Sequence, residues 1–198
     1  MAWNSVSDWQ EQQFMLNNFT LSERGISREG RFHTIVTHFF SHKDGFHILA
    51  NMFTLWSFGQ EALLALGERR FLVLYMGGGL VSAVASLVAP KLLGRGGFDS
   101  PYGQRYSSAS STRNLGASGA VNAVVLWSIL TTPMRGMMIF PIPIALPSWV
   151  FGLGFVAWDA FSAANRPNSH VGHTAHLGGA AWGVLYYSWS RGRGRFGG

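Results

Sequence analysis

Five long segments with almost no charged residues set the main constraint on how this chain can fold. Each is 17 to 22 residues long, and Glu61 is the only Asp, Glu, Lys or Arg in all five. A helix needs about 20 predominantly apolar residues to cross the bilayer core. A soluble domain of 198 residues does not have the interior to bury five such helices. The segments are residues 46–66, 71–90, 115–132, 137–158 and 174–190.

These segments predict an all-α polytopic membrane protein with five spans. In lipid, a spanning segment has to satisfy its own backbone hydrogen bonds, which restricts it to a helix or a closed barrel. The segments are longer than barrel strands and do not alternate apolar with polar residues as those strands do. The composition agrees, because 12% of the residues are charged, against about 25% in soluble domains.

The remaining charges and the absence of cysteine exclude several function classes. The chain contains no cysteine, which excludes disulfides, a thiol nucleophile and cysteine-ligated metals. A net charge of +6 would suit nucleic acid if the basic residues formed a patch. They lie instead in the loops and the tail around the apolar segments. We therefore expect contact with the lipid bilayer and no binding of nucleic acid.

The chain divides into three parts by composition. Residues 1–45 are a polar N-terminal segment, residues 46–190 form a transmembrane domain with all five apolar segments, and residues 191–198 are a basic tail. Within the middle part, residues 91–114 form a Gly/Ser-rich loop of the kind that joins elements flexibly. Prolines crowd the start of the fourth segment, so its helix is expected to begin near Pro147.

Four polar residues inside the apolar segments require a reason, because polar groups at membrane depth are costly. His47 and Asn51 lie at the start of the first segment. Ser118 lies at the start of the third and His176 at the start of the fifth. These three segments cross in the same direction, so all four side chains are expected at a similar depth near one membrane face. A nucleophile, a base and two hydrogen-bond donors would then lie together.

Ser118 and His176 are the candidate nucleophile and base, and glycines lie close to both. Glycine on a helix face lets a second helix approach closely, which would bring the serine hydroxyl within hydrogen-bond reach of the imidazole. The alternative for the serine is a small-residue packing patch, and for the histidine a packing or proton-handling role. The glycines expected to pack the helices are Gly116, Gly119, Gly179 and Gly183.

His47 and Asn51 are the candidate donors to an oxyanion. Their i, i+4 spacing places both side chains on one helical face, where they could donate hydrogen bonds to the negative oxygen of a tetrahedral intermediate. The alternative is an interhelical hydrogen bond. The only carboxylate in the segments is Glu61, near the opposite end of the first one. We therefore expect a Ser–His dyad without a third, acidic member.

Clustered histidines raise a metal site as an alternative. His170, His173 and His176 recur at every third residue, and four further histidines lie between residues 33 and 47. Imidazole is a good ligand for zinc, copper and haem iron. However, i, i+6 spacing does not keep three ligands on one helix face, and no acidic residue is expected nearby. A metal-binding membrane protein is therefore the weaker interpretation.

At these residues the sequence resembles the rhomboid family of intramembrane serine proteases. The matching pieces are HILANM at 47–52, GASGA at 116–120 and AHLGG at 175–179, preceded by His38 and His42. Their order and their placement at helix starts fit the family, and the likeness extends from about residue 31 to residue 187. Three separate motifs in register are far more specific than any one of them.

The resemblance implies a rhomboid-like helical bundle and a role for each candidate residue. Ser118 would be the nucleophile and His176 the general base. His47, Asn51 and the Ser118 backbone N–H would stabilise the oxyanion. The substrates implied are single-span membrane proteins cleaved in or near the membrane, and the chemistry implied needs no metal or organic cofactor.

The residues of the GASGA and AHLGG motifs and the Pro-rich start of the fourth segment look most like the mitochondrial branch of the family. This likeness implies the mitochondrial inner membrane as the location. The family core has six helices and this chain has five apolar segments, so the family's first helix is expected to be missing. This favours one alternative from another class, an inactive rhomboid-like chaperone that binds transmembrane helices without cutting them. The presence of both Ser118 and His176 favours the protease.

Overall fold

The computed structural model of the chain describes residues 8–92, 114–139, 142–165 and 172–192. These ranges contain every candidate site residue named above except His170. Nearly all of the Gly/Ser-rich loop and most of the basic tail also lie outside the described residues.

The N-terminal segment folds into short helices. They are α1 (Trp9–Phe19), α2 (Glu23–Ser27) and α3 (Thr34–Thr37), followed by a 3-10 turn (His38–Phe40). The Asp8 carboxylate accepts hydrogen bonds from the N–H groups of Gln10 and Glu11 at the start of α1. The Ser22 hydroxyl accepts one from the Gly25 N–H at the start of α2. Both caps satisfy N–H groups that have no partner inside the helix.

Five longer helices follow, and each corresponds to one apolar segment of the sequence. They are α4 (Gly45–Leu66), α5 (Glu68–Leu92), α6 (Ser118–Thr131), α7 (Ser148–Asn165) and α8 (His173–Gly192). α4 begins behind an Asp44 cap and ends at Gly67. The positive φ of Gly67, 74°, stops the helix and turns the chain directly into α5. The fourth apolar segment yields a helix from Ser148 onward, which confirms the start predicted from its prolines.

A two-stranded hairpin between α6 and α7 differs from the sequence-based expectation. β1 (Gly136–Ile139) and β2 (Ile142–Pro147) pair antiparallel, with Gly136 opposite Pro147. The first half of the fourth apolar segment therefore forms strands. Proline lacks the N–H that a helix interior requires, and Pro143 and Pro147 both lie in β2. This apolar stretch consequently does not extend α7 towards its N-terminus.

The long helices pack around α6, of which ten of the 14 residues are buried. α6 contacts α8, α5 and α4, and α7 lies against α8 and α6. Trp127 of α6 is part of the main apolar core. Large apolar side chains on the outside of α4, α5 and α7, such as Phe53, Leu72 and Leu153, are exposed. An apolar exterior of this extent suits helices that face lipid.

Glycines at the contact between α6 and α8 let the two backbones touch. A Cβ on Gly179 would overlap the carbonyl oxygen of Gly119, and a Cβ on Gly183 would lie 2.5 Å from the carbonyl oxygen of Ala123. Gly119 is covered on another side by Ser82 of α5. Close backbone contact through small residues is how membrane helices gain packing energy without a hydrophobic driving force.

Two helices in the described part of the chain stand out for their apolar composition. Glu68–Ala89 is long and apolar enough to cross a membrane, with a mean hydropathy of 2.0. Ser118–Thr131 is apolar but shorter than a full span. The five long helices and their packing confirm the predicted helical bundle. The number of five membrane spans stays a prediction.

Candidate active site

Ser118 and His176 are in hydrogen-bond contact where α6 and α8 begin. The Ser118 hydroxyl lies 3.0 Å from His176 Nε2. Ser118 is the first residue of α6, and His176 lies in the first turn of α8. A hydroxyl within about 2.6–3.2 Å of an imidazole nitrogen is the arrangement of a nucleophile and its base.

Backbone hydrogen bonds from the N-terminal segment fix where α6 begins. Leu21 and Asn114 exchange N–H···O bonds in both directions, each of 2.8 Å, and the Gly116 N–H donates to the His38 carbonyl oxygen at 2.9 Å. Gly116 has a φ of 111°, a backbone conformation that glycine adopts without strain. The chain is therefore held two residues before the serine.

The start of α6 presents backbone N–H groups beside Ser118. Ala117 occupies the N-cap position and makes no side-chain hydrogen bond to the helix. The first N–H groups of a helix have no partner within it and carry a partial positive charge. This end of α6 is therefore suited to stabilise a negative oxygen next to the serine.

His47 and Asn51 of α4 border the same cavity as Ser118. His47 Nδ1 accepts a hydrogen bond of 3.3 Å from the Lys43 N–H, so the proton of the neutral ring is on Nε2. One N–H of the Asn51 amide donates to the His47 carbonyl oxygen at 2.8 Å, and the amide has a second N–H. Each of the two side chains can therefore offer a donor to a substrate oxygen.

Asp159 of α7 contacts the other nitrogen of His176, so the expectation that no carboxylate belongs to the site is wrong. Asp159 Oδ1 accepts a hydrogen bond from His173 Nδ1 at 2.6 Å, and both carboxylate oxygens lie 3.3 Å from His176 Nδ1. The negative charge at residue 159 ends the fourth apolar segment in the sequence, but α7 continues to Asn165 and carries Asp159 inside the helix. Ser118, His176 and Asp159 are thus connected in series.

Asp159, His173 and His176 are also the described residues whose donor atoms, all within 4.8 Å of one another, could hold a metal ion. Two ligands on a tetrahedral zinc, each at about 2.0–2.1 Å, are about 3.3 Å apart. The 2.6 Å between His173 Nδ1 and Asp159 Oδ1 is instead a hydrogen-bond distance. His170 lies outside the described residues. The arrangement favours a hydrogen-bonded network, although an acidic residue does lie beside these histidines, contrary to expectation.

A second group of histidines lies before and at the start of α4. His38 Nδ1 donates to the Thr34 carbonyl oxygen at 2.8 Å, while neither ring nitrogen of His42 has a hydrogen-bond partner among the described residues. The rings of His42 and His47 are 5.2 Å apart, centroid to centroid. Burial lowers the pKa of both His38 and His42 to about 4, because it penalises the charged imidazolium. Both rings are therefore neutral at neutral pH.

A cavity of about 930 Å³ lies between the candidate nucleophile and base and the candidate oxyanion donors of α4. Its lining includes Ser118, His176 and Asn51 together with apolar side chains of α6 and α7, such as Val125 and Phe155. The Phe155 ring stacks on His176 with a centroid separation of 6.1 Å. The volume lies within the range of about 300–1,000 Å³ that is usual for ligand sites. There is room for a short peptide segment and for water.

Sequence patterns identified four residues that line this cavity, His47, Asn51, Ser118 and His176. They did not identify Asp159, which contacts His176 from α7, and they indicated His173 only as a metal ligand. A signal for Asp159 was present, because six further uncharged residues follow it. Continuing the apolar segment through that single charge would have placed the carboxylate inside the last turns of the helix. The chain then returns as α8, so the carboxylate and His176 would have been expected at the same membrane face.

Comparison with known proteins places the chain in one family. Residues 29–192 match the family model described as Rhomboid domain. The chain is 38% identical over 188 residues to RHOMBOID-like protein 12, mitochondrial, of Arabidopsis thaliana, covering 93% of this chain and 54% of the relative. It is 35% identical over 153 residues to Rhomboid protein 1, mitochondrial, of Saccharomyces cerevisiae, covering 77% and 40%. It is 34% identical over 155 residues to Presenilin-associated rhomboid-like protein, mitochondrial, of Homo sapiens, covering 76% and 36%.

The chain spans about half the length, or less, of these curated relatives. The match to the family model nevertheless includes α3 to α8 and every residue of the cavity discussed above from His38 onward. All three relatives are described as mitochondrial, which agrees with the location expected from the wording of the motifs. The expectation of a rhomboid-type integral membrane protein is confirmed.

Proposed function

The chain belongs to the rhomboid family, and we propose that it is a serine endopeptidase that hydrolyses peptide bonds in or near the transmembrane segments of membrane proteins. The observation that carries the proposal is the 3.0 Å contact between Ser118 Oγ and His176 Nε2, which borders a cavity large enough for a peptide. A nucleophile in contact with its base and next to backbone N–H donors is equipped for acyl transfer.

In the first half of the reaction, Ser118 Oγ attacks the carbonyl carbon of the scissile bond while His176 Nε2 takes the hydroxyl proton. The carbonyl oxygen becomes an oxyanion, which His47, Asn51 and the first N–H groups of α6 stabilise by hydrogen bonds. When the intermediate collapses, the C–N bond breaks and His176 gives its proton to the leaving amine. The acyl group remains on Ser118 as an ester.

In the second half, water enters the cavity and hydrolyses the ester. His176 takes a proton from the water as its oxygen attacks the ester carbonyl, and the same donors stabilise the second oxyanion. Collapse of this intermediate breaks the bond to Ser118 Oγ, which regains its proton from His176. The new carboxylic acid leaves, and every group returns to its starting protonation state.

The substrates we propose are single-span membrane proteins, which reach the site through the lipid. A helical substrate has to give up intrahelical hydrogen bonds before a carbonyl carbon can be attacked, and lipid makes unpaired backbone groups costly. Cleavage is therefore expected where the substrate helix is broken by Gly or Pro or ends near the membrane surface. In keeping with the mitochondrial relatives, we propose proteins of the mitochondrial inner membrane as substrates.

The test is cleavage of a single-span reporter protein that is reconstituted with the purified chain in proteoliposomes. Ser118→Ala is expected to lower the cleavage rate by about 10³-fold or more, because no other group replaces the nucleophile. The matched control is Ser188→Ala, which changes an exposed serine of α8 whose hydroxyl donates to the Val184 carbonyl oxygen of its own helix. The control should cleave at the wild-type rate.

Two outcomes would contradict the proposal. One is full activity of Ser118→Ala. The other is a wild-type chain that binds the reporter helix and leaves it intact, which would favour the chaperone alternative. Loss of wild-type activity on addition of a chelator, together with stoichiometric bound metal, would favour the metal-binding alternative.

A further inference from the structure

A carboxylate and a second imidazole lie behind the proposed base, where the sequence motifs assign no role. We propose that Asp159, held in place by His173, positions His176 so that its Nε2 faces Ser118 as a proton acceptor. This inference deepens the proposed function and rests on it. Neither Asp159 nor His173 contacts the reacting atoms, so both are positioning residues that act through the His176 ring.

Contact with the carboxylate determines which nitrogen of His176 carries the proton. A neutral imidazole has one N–H, and an ionised carboxylate can only accept. With His176 Nδ1 at 3.3 Å from both oxygens of Asp159, the favourable tautomer has its proton on Nδ1. In the opposite tautomer, the lone pair on Nδ1 of His176 would face the buried carboxylate of Asp159. Nε2 is therefore left with the lone pair that takes the Ser118 proton.

His173 holds the carboxylate in this orientation. Its Nδ1 lies 2.6 Å from Asp159 Oδ1, closer than the contact between the carboxylate and His176. Both His173 and Asp159 are buried, so water does not compete for this bond. Asp159 Oδ2 is buried and has no hydrogen bond of normal geometry from the described residues. It is available to strengthen its contact with the His176 ring when that ring becomes charged during catalysis.

A purely structural link between α7 and α8 would not require a charge. Taking a carboxylate out of water costs several kcal/mol, and apolar side chains of similar volume are often at least as stabilising in such positions. Asp159 is 2% exposed, and every other residue of α7 is uncharged. Ionisable residues at membrane depth usually serve the function of the protein.

The groups around His176 determine how a protonated ring would be stabilised. His47 of α4 lines the same cavity, His173 lies beside the ring on its own helix, and the Phe155 ring stacks on one side. Among the described residues around the ring, Asp159 supplies the negative charge. The imidazolium that forms in the transition state is therefore stabilised from the Asp159 side.

The experiment is steady-state kinetics of Asp159→Asn in proteoliposomes, beside wild type and Ser118→Ala. Asparagine keeps the shape of the side chain, and the thermal midpoint of unfolding checks that the variant is folded. Because an amide donates as well as accepts, it no longer fixes the proton on Nδ1 of His176. We expect kcat to fall by about 10²–10⁴-fold, with KM within about threefold of wild type.

A pair of variants at His173 tests its part separately. His173→Gln keeps an N–H donor that can reach Asp159, whereas His173→Leu has none. We expect the Leu variant to lose about tenfold in kcat, and the Gln variant to stay within about threefold of wild type. A role in packing alone would favour the apolar leucine over the polar glutamine.

Three results would overturn the inference. They are a kcat of Asp159→Asn within threefold of wild type, a loss of activity that parallels a fall in thermal midpoint, and a Leu variant of His173 more active than the Gln variant. Ser118→Ala separates the two proposals. If it is inactive while Asp159→Asn is fully active, the positioning role is wrong and the proposed function stands. If Ser118→Ala is active, the proposed function itself is wrong.

Discussion

Two groups of histidines border the active-site region, and they differ in what surrounds their rings. The carboxylate-linked group consists of His173, His176 and Asp159. The neutral group consists of His38 and His42, whose pKa burial lowers to about 4, and of His47, whose ring lies 5.2 Å from that of His42. In the described part of the chain, every ion pair between a histidine ring and a carboxylate belongs to the first group.

The presence or absence of a neighbouring carboxylate suits the two groups to different roles, proton transfer in the first and hydrogen-bond donation in the second. A base has to tolerate a positive charge, which a neighbouring carboxylate makes favourable. Rings that are buried without a carboxylate remain neutral, and burial lowers the pKa of His38 and His42 to about 4. His47 therefore has an uncharged ring beside it and is suited to donate from Nε2 to an oxyanion. One residue type thus performs two tasks because its environments differ.

The largest expected difference is between two variants that each remove one histidine, one from either group. His176→Gln should lower the cleavage rate of the single-span reporter by about 10³–10⁴-fold, the upper part of the range for loss of a general base. His42→Leu should stay within about threefold of wild type, because neither ring nitrogen of His42 has a partner in the described residues. The reverse order of activities would break the comparison.

Loss of the oxyanion donor Asn51, which follows His47 of the neutral group by one helical turn, should be almost as severe. Asn51→Ala is expected to lower kcat by about 10²–10³-fold, since the amide stabilises charge that appears only in the transition state. KM should change little. Ser57→Ala is the matched control on α4, because Ser57 is half-buried, does not line the cavity and donates to the Phe53 carbonyl oxygen of its own helix. A raised KM with unchanged kcat would assign Asn51 to substrate binding instead.

A third variant should disturb the carboxylate-linked group and leave the neutral group in place. In Gly179→Ala the new methyl group overlaps the Gly119 carbonyl oxygen. It therefore forces α8, which carries His176, away from α6, which carries Ser118. We expect a stability loss of about 1–3 kcal/mol and reduced cleavage. Gly154→Ala on α7 is the control, because a Cβ there meets nothing within 4 Å. Equal thermal midpoints and rates for both variants would contradict the close packing.

The smallest effect expected is on the pH dependence of stability. The pKa of His42 is about 4 in the folded chain and about 6.5 when unfolded. Between these values the unfolded state binds more protons, so the free energy of unfolding falls as pH falls. From pH 7.5 to 5.5 this loss is about 1 kcal/mol for one such histidine. His42→Leu should lose correspondingly less in denaturant titrations in detergent micelles, and an identical loss would contradict the neutral state of the ring.

The sequence was sufficient to predict the helical bundle. It was also sufficient to predict the end of the bundle at which the polar residues lie. Both follow from local information, because charge-free length determines a helix and position within the segment determines depth. The hairpin was not predicted, because Met137 and Met138 of β1 are as apolar as residues of a span. What distinguishes them is the pairing with Leu146 and Ala145, which hydropathy does not report.

Asp159 escaped prediction for a different physical reason. A charge normally marks the end of an apolar segment, and this one lies at its apparent boundary. Its compensation comes from His173 and His176, 14 and 17 residues further along the chain. Such a non-local partner cannot be read from the spacing on one helix. The cost of burial identifies the residue only after the helices have been assembled.

The central claim is that Ser118 is a nucleophile activated by His176. Reaction with a fluorophosphonate tests it most directly. This reagent forms a phosphonate ester only with an activated serine hydroxyl, and fluoride is released. The measurement is the labelled peptide identified by mass spectrometry after reaction in proteoliposomes. We predict one adduct, on Ser118 in wild type, absent from His176→Gln and retained in Ser188→Ala. A wild-type chain that cleaves the reporter while its adduct lies on another serine would contradict the claim.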